Sequence, residues 1–189
     1  MKIKFSLLAL SILISLLLLF TCINSSNKHK VTSKDIKGRW TQIVNDDLFK
    51  GYEVIAFEDE SFVVTDSLLF SGVDSNFKFT LPLTTSISGN WSLKEDSLFL
   101  SYNGQTVMIV TDTDQCQIIN QKQVGSNSKL QTIKEEMIND LDQFVRSYFS
   151  NSYEKLTGKK YFLGCVSYAA SDTIIIEKDN SHIILTRTP

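Results

Sequence analysis

The chain offers few side chains that could carry out catalysis. Its two histidines are His29, in a polar segment near the N-terminus, and His182, at the start of an apolar run. Neither lies in a local pattern that would join it to a nucleophile and a carboxylate. The acid pairs Asp46-Asp47 and Glu135-Glu136 are adjacent residues whose side chains face different ways, so solvated charges explain them better than an acid–base pair.

Sites for bound groups are equally scarce. No histidine or cysteine pair has the spacing of metal ligands, and the sequence contains no glycine-rich phosphate loop. We therefore predict a protein that is not an enzyme and that holds no metal or cofactor.

The three cysteines, Cys22, Cys116 and Cys165, are the remaining reactive groups. Cys22 closely follows an uncharged, mostly apolar run from Phe5 to Phe20, and two lysines precede that run. A charged start, an apolar core and a polar stretch beyond it are typical of a secretory signal peptide. A signal anchor is the alternative, although the run is slightly short of the about 20 residues that a spanning helix needs.

The segment Leu19-Phe20-Thr21-Cys22 resembles the lipobox of bacterial lipoproteins. The resemblance implies that residues 1–21 are removed and that the thiol of Cys22 carries diacylglycerol, while Thr21 departs from the Gly, Ala or Ser that the family prefers. Acyl chains on one residue would anchor the protein to a membrane, with residues 22–34 as the lipidated cysteine and a polar tether. Surface-exported lipoproteins of Bacteroidota carry acidic residues soon after the cysteine, and residues 23–28 have none. We therefore expect an envelope protein on the outer membrane that faces the periplasm.

Lipidation of Cys22 would leave Cys116 and Cys165 as an even pair in an oxidising compartment. A disulfide between them would close a loop of roughly 50 residues and add about 3–4 kcal/mol to stability. Two buried free thiols are the alternative, because spacing alone does not show whether the Cα atoms come close enough.

The composition of the mature chain indicates one globular domain over residues 35–189. The net charge is −2 for the whole chain and becomes −4 when Lys2 and Lys4 leave with the signal peptide. This balance excludes a generally basic nucleic-acid binder. A hydrophobic content of 42% with two prolines argues against extensive disorder.

Short apolar runs between charged turns predict a mainly antiparallel β fold. Hairpins are expected around turns 58–61, 94–97 and 178–181, and Asn103-Gly104 predicts a further type I′ turn. Eight to ten short strands favour an up-and-down barrel or a strongly coiled sheet. Residues 128–149 have a helical period instead and predict one long inserted amphipathic α-helix, with one face formed by Leu130, Ile133, Met137, Leu141, Phe144, Val145 and Tyr148.

Two G-x-W phrases carry a further family resemblance. Gly38-Arg39-Trp40 opens the first strand, and Gly89-Asn90-Trp91 opens a hairpin. Together they resemble the lipocalin-like domains of lipoproteins common in Bacteroidota, over most of residues 35–188. The resemblance implies a barrel whose floor holds Gly38 and Trp40, with Arg187 covering the tryptophan through a cation–π contact. Because residues 111–113 lack the tyrosine of the T-D-Y motif, we favour this looser group over the lipocalins proper.

Two functions from different classes fit this fold. One is the binding of a small apolar or amphipathic ligand inside the barrel, although small barrels are often filled by side chains. The candidates for the ligand-binding wall are Phe57, Phe62, Phe79, Phe99 and Tyr102. The other is a non-enzymatic envelope protein whose solid β domain mediates protein–protein interaction. A cavity would favour the first, and a solid interior with an exposed apolar patch would favour the second.

Overall fold

Alternation of apolar and polar residues turns one face of each strand toward a common interior. The computed structural model describes residues 30–74, 76–120 and 127–188, with side chains from residue 130 in the last range. The helices are α1 (Ser33–Ile36) and α2 (Asn127–Leu156). The strands are β1 (Gly38–Asn45), β2 (Phe49–Phe57), β3 (Ser61–Asp74), β4 (Phe77–Lys94), β5 (Ser97–Thr111), β6 (Gln117–Asn120), β7 (Lys160–Ala169), β8 (Thr173–Lys178) and β9 (Ser181–Arg187).

Eight of these strands form a closed antiparallel barrel. β1 to β5 and then β7 to β9 each pair with the next strand, and β9 returns to β1 through Trp40 opposite Arg187. β6 is a short extra strand that pairs with the first four residues of β4. The predicted mainly β, up-and-down barrel with one inserted helix is therefore confirmed.

The charged hairpin turns form where the sequence predicts them. The prediction of a further turn at Asn103-Gly104 is wrong. Glu95 and Asp179 adopt φ angles of 55° and 53° in their turns. β5 instead continues through Asn103, because β4 is long enough to pair with both of its halves. Ser88 lies opposite Asn103 and Ser86 opposite Met108, so the intervening residues bulge from the strand.

The barrel interior is filled by side chains. β3 turns Phe62, Val64, Asp66, Leu68 and Phe70 inward, and all five are buried. β4 contributes a matching inward set, and Leu81, Thr85 and Ile87 are fully enclosed. Each large apolar side chain that is removed from water in this way contributes about 1.5–3 kcal/mol to folding.

The compact unit begins at Val31 rather than at Asp35. Val31 and Ile36 are buried, and the carboxylate of Asp35 accepts hydrogen bonds from the backbone amide and the hydroxyl of Thr32 at 2.7 Å each. The predicted signal peptide, Cys22 and the tether up to residue 29 lie outside the described residues.

α2 is longer than predicted and closes one end of the barrel. Leu141, Val145, Phe149 and Tyr153 are its buried residues and recur every four positions, as one face of a helix does. The ring of Phe149 lies 5.2 Å from that of Phe49, at the start of β2. Neither helix in the described part of the chain is long and apolar enough to span a membrane.

Candidate functional site

The barrel floor brings together the three residues that the family resemblance places there. Trp40 is fully buried, and its indole N–H donates to the carbonyl of Ile36 at 2.6 Å. The guanidinium carbon of Arg187 lies 4.3 Å from the centre of the indole ring. Gly38 has a φ of 128°, and a Cβ there would lie 2.5 Å from a guanidinium nitrogen of Arg187. The floor is therefore a packed structural seal.

The five candidate wall residues do not enclose a common space. Phe57, Phe62 and Phe79 are buried and Tyr102 is half-buried. Their rings cover other aromatic rings, as in the edge-to-face pair of Phe62 with Tyr102 at 5.1 Å. Phe99 lies on the outer face between two inward leucines, where Lys160 sits 4.5 Å above its ring. Phe57, Phe62 and Phe79 therefore act as core packing, whereas Phe99 lies outside the core.

A polar network crosses the barrel interior. Glu53 on β2 lies opposite Gln42 on β1 and opposite Asp66 on β3, and the amide of Gln42 donates a hydrogen bond to the Glu53 carboxyl. An Asp66 carboxylate oxygen accepts from the hydroxyl of Thr85 at 2.6 Å and from that of Tyr153 at 3.1 Å. Because Tyr153 belongs to α2, the network joins the helix to the four strands β1 to β4.

Burial and the facing carboxylate of Asp66 raise the pKa of Glu53 from 4.5 to about 7. Burial, followed by the nearby carboxylates, also raises the pKa of Tyr102. The pKa of Tyr153 is raised mainly by burial and by Asp66. Among the described residues, no buried side-chain nitrogen or oxygen lacks a hydrogen-bond partner. The network is thus saturated internally and fastens α2 to the barrel.

The acid pair escaped the sequence analysis, although a signal for it exists. Asp66 lies two positions from Val64 and from Leu68, and Glu53 lies two positions from Ile55. A period of two places all of them on one strand face. A carboxyl group in the inward register of an otherwise apolar strand is the pattern that could have revealed the network.

A groove of about 520 Å³ lies between the first half of α2 and the hairpin of β3 and β4. Its apolar lining consists of Phe70, Phe77, Ile133, Met137, Leu141 and Phe144. Asp74, Glu136 and Asp140 add three carboxylates. This volume lies within the usual range for small-molecule sites. Sequence reasoning placed the helix face but missed the groove, because the partner strands come from elsewhere in the chain.

Two further features occupy the outer surface. A groove of about 480 Å³ runs over β2 to β5 beside Tyr52, Pro82 and Val110, but it is a furrow on the barrel wall with no helix over it. On the neighbouring strands, Ile43 is 83% exposed, and Ile184 and Tyr168 are both more than half exposed. These exposed apolar side chains form one outer face of the barrel.

The proposed disulfide does not form, and Cys116 and Cys165 are free thiols. Cys116 precedes β6, whose Gln117 pairs with Thr80 near the start of β4. Cys165 pairs with Ser97, just beyond the end of β4. Strands rise about 3.3 Å per residue, so the two thiols lie near opposite ends of the barrel, far beyond the reach of a disulfide.

His182 lies on the surface with a ring nitrogen 3.9 Å from Glu177. Within the described ranges, no group of three or more His, Cys, Asp or Glu side chains is placed to hold a metal ion.

No protein-family model, no curated protein and no solved structure matches this chain significantly.

Proposed function

We propose that this chain is a membrane-anchored lipoprotein whose lipocalin-like barrel binds a small amphipathic molecule beneath α2. The groove between α2 and the β3–β4 hairpin is the observation that carries the proposal. It combines a 520 Å³ volume with an apolar floor and polar groups on the rim. Amphipathic ligands bind best to such concave, mainly apolar sites with a few placed polar groups.

Because side chains fill the barrel interior, the proposed binding site lies in the groove beneath α2 and not inside the barrel, where the sequence led us to expect it. Trp40 seals the floor, and the helix residues Val145 and Tyr153 are buried at the other end. A ligand would need to displace this packing to enter the barrel. The groove, by contrast, is open, and six of its nine lining residues come from the inserted helix.

Native mass spectrometry of the full chain, released from detergent micelles, tests the proposal. We expect a retained small molecule in the wild type and its loss in Met137→Trp, because the larger ring would fill the groove. Gln143→Trp is the matched control, since Gln143 is an exposed helix residue that does not line the groove. Equal retention in both variants, or no retained molecule in the wild type, would contradict ligand binding at the groove.

The outer face supports a second candidate function, association with another copy in the envelope. Tyr52 lies opposite Ile43, and Ile175 lies opposite both Ile184 and Tyr168. None of these side chains is charged, so two copies could bring these faces together without repulsion. Sedimentation of the full chain should show a dimer that Ile43→Ser with Ile184→Ser dissociates; a wild-type monomer at all concentrations would exclude this function.

A further inference from the structure

The charged residues that the structure describes on the rim of the groove are all acidic. Glu136 and Asp140 stand one turn apart on α2, and Asp74 lies on the opposite wall at the end of β3. Among the described residues that line the groove, none is a lysine, arginine or histidine. The groove therefore favours a ligand that brings positive charge.

The aromatic rings point to the same chemistry. Phe70 and Phe144 stack with ring centres 5.3 Å apart at the floor of the groove, and Phe144 is 47% exposed. The faces of such rings carry partial negative charge and attract ammonium groups, including quaternary ones. Carboxylates and aromatic faces together suit a cation whose charge is spread over an alkylated amine.

We propose that the groove binds an alkylammonium amphiphile, a molecule with an apolar body and an amine at one end. The inference rests on the proposed function, because it names the ligand class of that same groove. The apolar body lies along Ile133, Met137 and Leu141, where it is removed from water. The ammonium group lies between the Phe144 ring and the carboxylates of Glu136 and Asp140. A neutral amphiphile gains only the first of these contacts, and an anionic one is repelled by the rim.

Isothermal titration calorimetry with three matched probes tests the ligand class. Hexyltrimethylammonium, hexanol and hexanesulfonate share one alkyl chain and differ in charge. Each is titrated into the full chain held in nanodiscs of diglucosyldiacylglycerol, a neutral lipid without an ammonium group, with empty discs as the blank. We expect the ammonium compound to bind tightest and the sulfonate weakest, and added salt to reduce the difference.

Adjacent glutamates provide the matched variants. Glu136 lines the groove, whereas Glu135 accepts a hydrogen bond from Gln131 outside it. Glu136→Gln should weaken hexyltrimethylammonium binding about two- to five-fold, and the double variant with Asp140→Asn about ten-fold, in line with exposed charge pairs. Glu135→Gln removes the same charge and should leave the affinity unchanged.

The outcomes separate this inference from the function on which it rests. Equal affinities for hexyltrimethylammonium and hexanol, both lost in Met137→Trp, would overturn the ammonium preference and keep ligand binding at the groove. Equal weakening by Glu135→Gln and Glu136→Gln would also overturn it, because the net charge of the chain would then be responsible. Binding of none of the three probes would contradict the proposed function as well.

Discussion

The two ends of the barrel are closed in different ways. At the floor, α1 and the adjoining strand supply the seal, and Trp40 is enclosed between the Ile36 carbonyl and the Arg187 guanidinium. At the other end, α2 lies across the opening with two partly exposed aromatic rings, those of Phe144 and Tyr148, and a hydrogen-bond network that enters the barrel. The floor is compact, and the helix end keeps a groove beside its seal.

This difference separates stability from binding. The floor buries Ile36 and Trp40 completely beneath the exposed side chain of Arg187, so its contribution is to hold the barrel closed. The helix end exposes 47% of Phe144 and 43% of Tyr148, and exposed aromatic rings beside a groove are available to a ligand. We therefore expect substitutions at the floor to affect folding and those at the helix end to affect folding less and binding more.

Trp40→Ala should have the largest effect on stability. Removal of a fully buried tryptophan leaves a cavity and typically costs about 3–5 kcal/mol. Urea-induced unfolding followed by far-ultraviolet circular dichroism measures the loss. Ile43→Ala on the same strand is the control, because Ile43 is 83% exposed and such surface changes usually stay within about 0.5 kcal/mol. A loss at Trp40 no larger than at Ile43 would contradict the view of the floor as the main seal.

At the helix end, the pKa of Glu53 predicts a pH dependence. The folded state raises this pKa from 4.5 to about 7, so between these values the folded protein binds a proton that the unfolded chain has released. The contribution of this bound proton to the free energy of unfolding is complete below pH 4.5 and is lost as the pH rises through 7. With about 1.4 kcal/mol for each pKa unit, we expect the free energy of unfolding to fall by roughly 1–3 kcal/mol from pH 5 to pH 8.

Glu53→Gln isolates this contribution. Glutamine keeps the oxygen that accepts from Gln42 and has no titrating proton. The stability difference between wild type and variant should therefore change with pH in the stated direction. A difference that is constant from pH 5 to pH 8, measured by urea unfolding at each pH, would show that the facing carboxylates do not control stability at this end.

The same contrast between the two ends explains what could be predicted from the sequence. Strand alternation and charged turns predicted the barrel. A short local phrase marked Gly38 and Trp40, and the family resemblance that this phrase carries implied Arg187 as the residue covering the tryptophan. Glu53, Asp66 and Thr85 of the network lie on three consecutive strands and face one another through the hairpin registers. Tyr153 comes from a distant helix, and only the tertiary fold brings it to them. The bulge after Asn103 was missed for a similar reason, since the length of β4 overrides the local turn preference of Asn-Gly.

Tyr153→Phe should have the smallest of the three effects and sharpens the role of the helix end. The variant keeps the buried ring but removes the hydroxyl that donates to Asp66 and lies 2.6 Å from the Thr85 hydroxyl. Loss of one partner of a buried carboxylate typically costs about 1–3 kcal/mol, and the remaining bond from Thr85 places the expected value near the lower limit. Tyr148→Phe is the control, because Tyr148 is 43% exposed and its ring packs on Phe49 without entering the barrel.

Hydrogen exchange of the α2 amides should quicken in Tyr153→Phe while the β1 amides near Trp40 stay protected. Equal quickening at both ends would mean that the helix and the floor unfold as one unit, and the contrast between a rigid floor and a separately fastened helix would then be wrong.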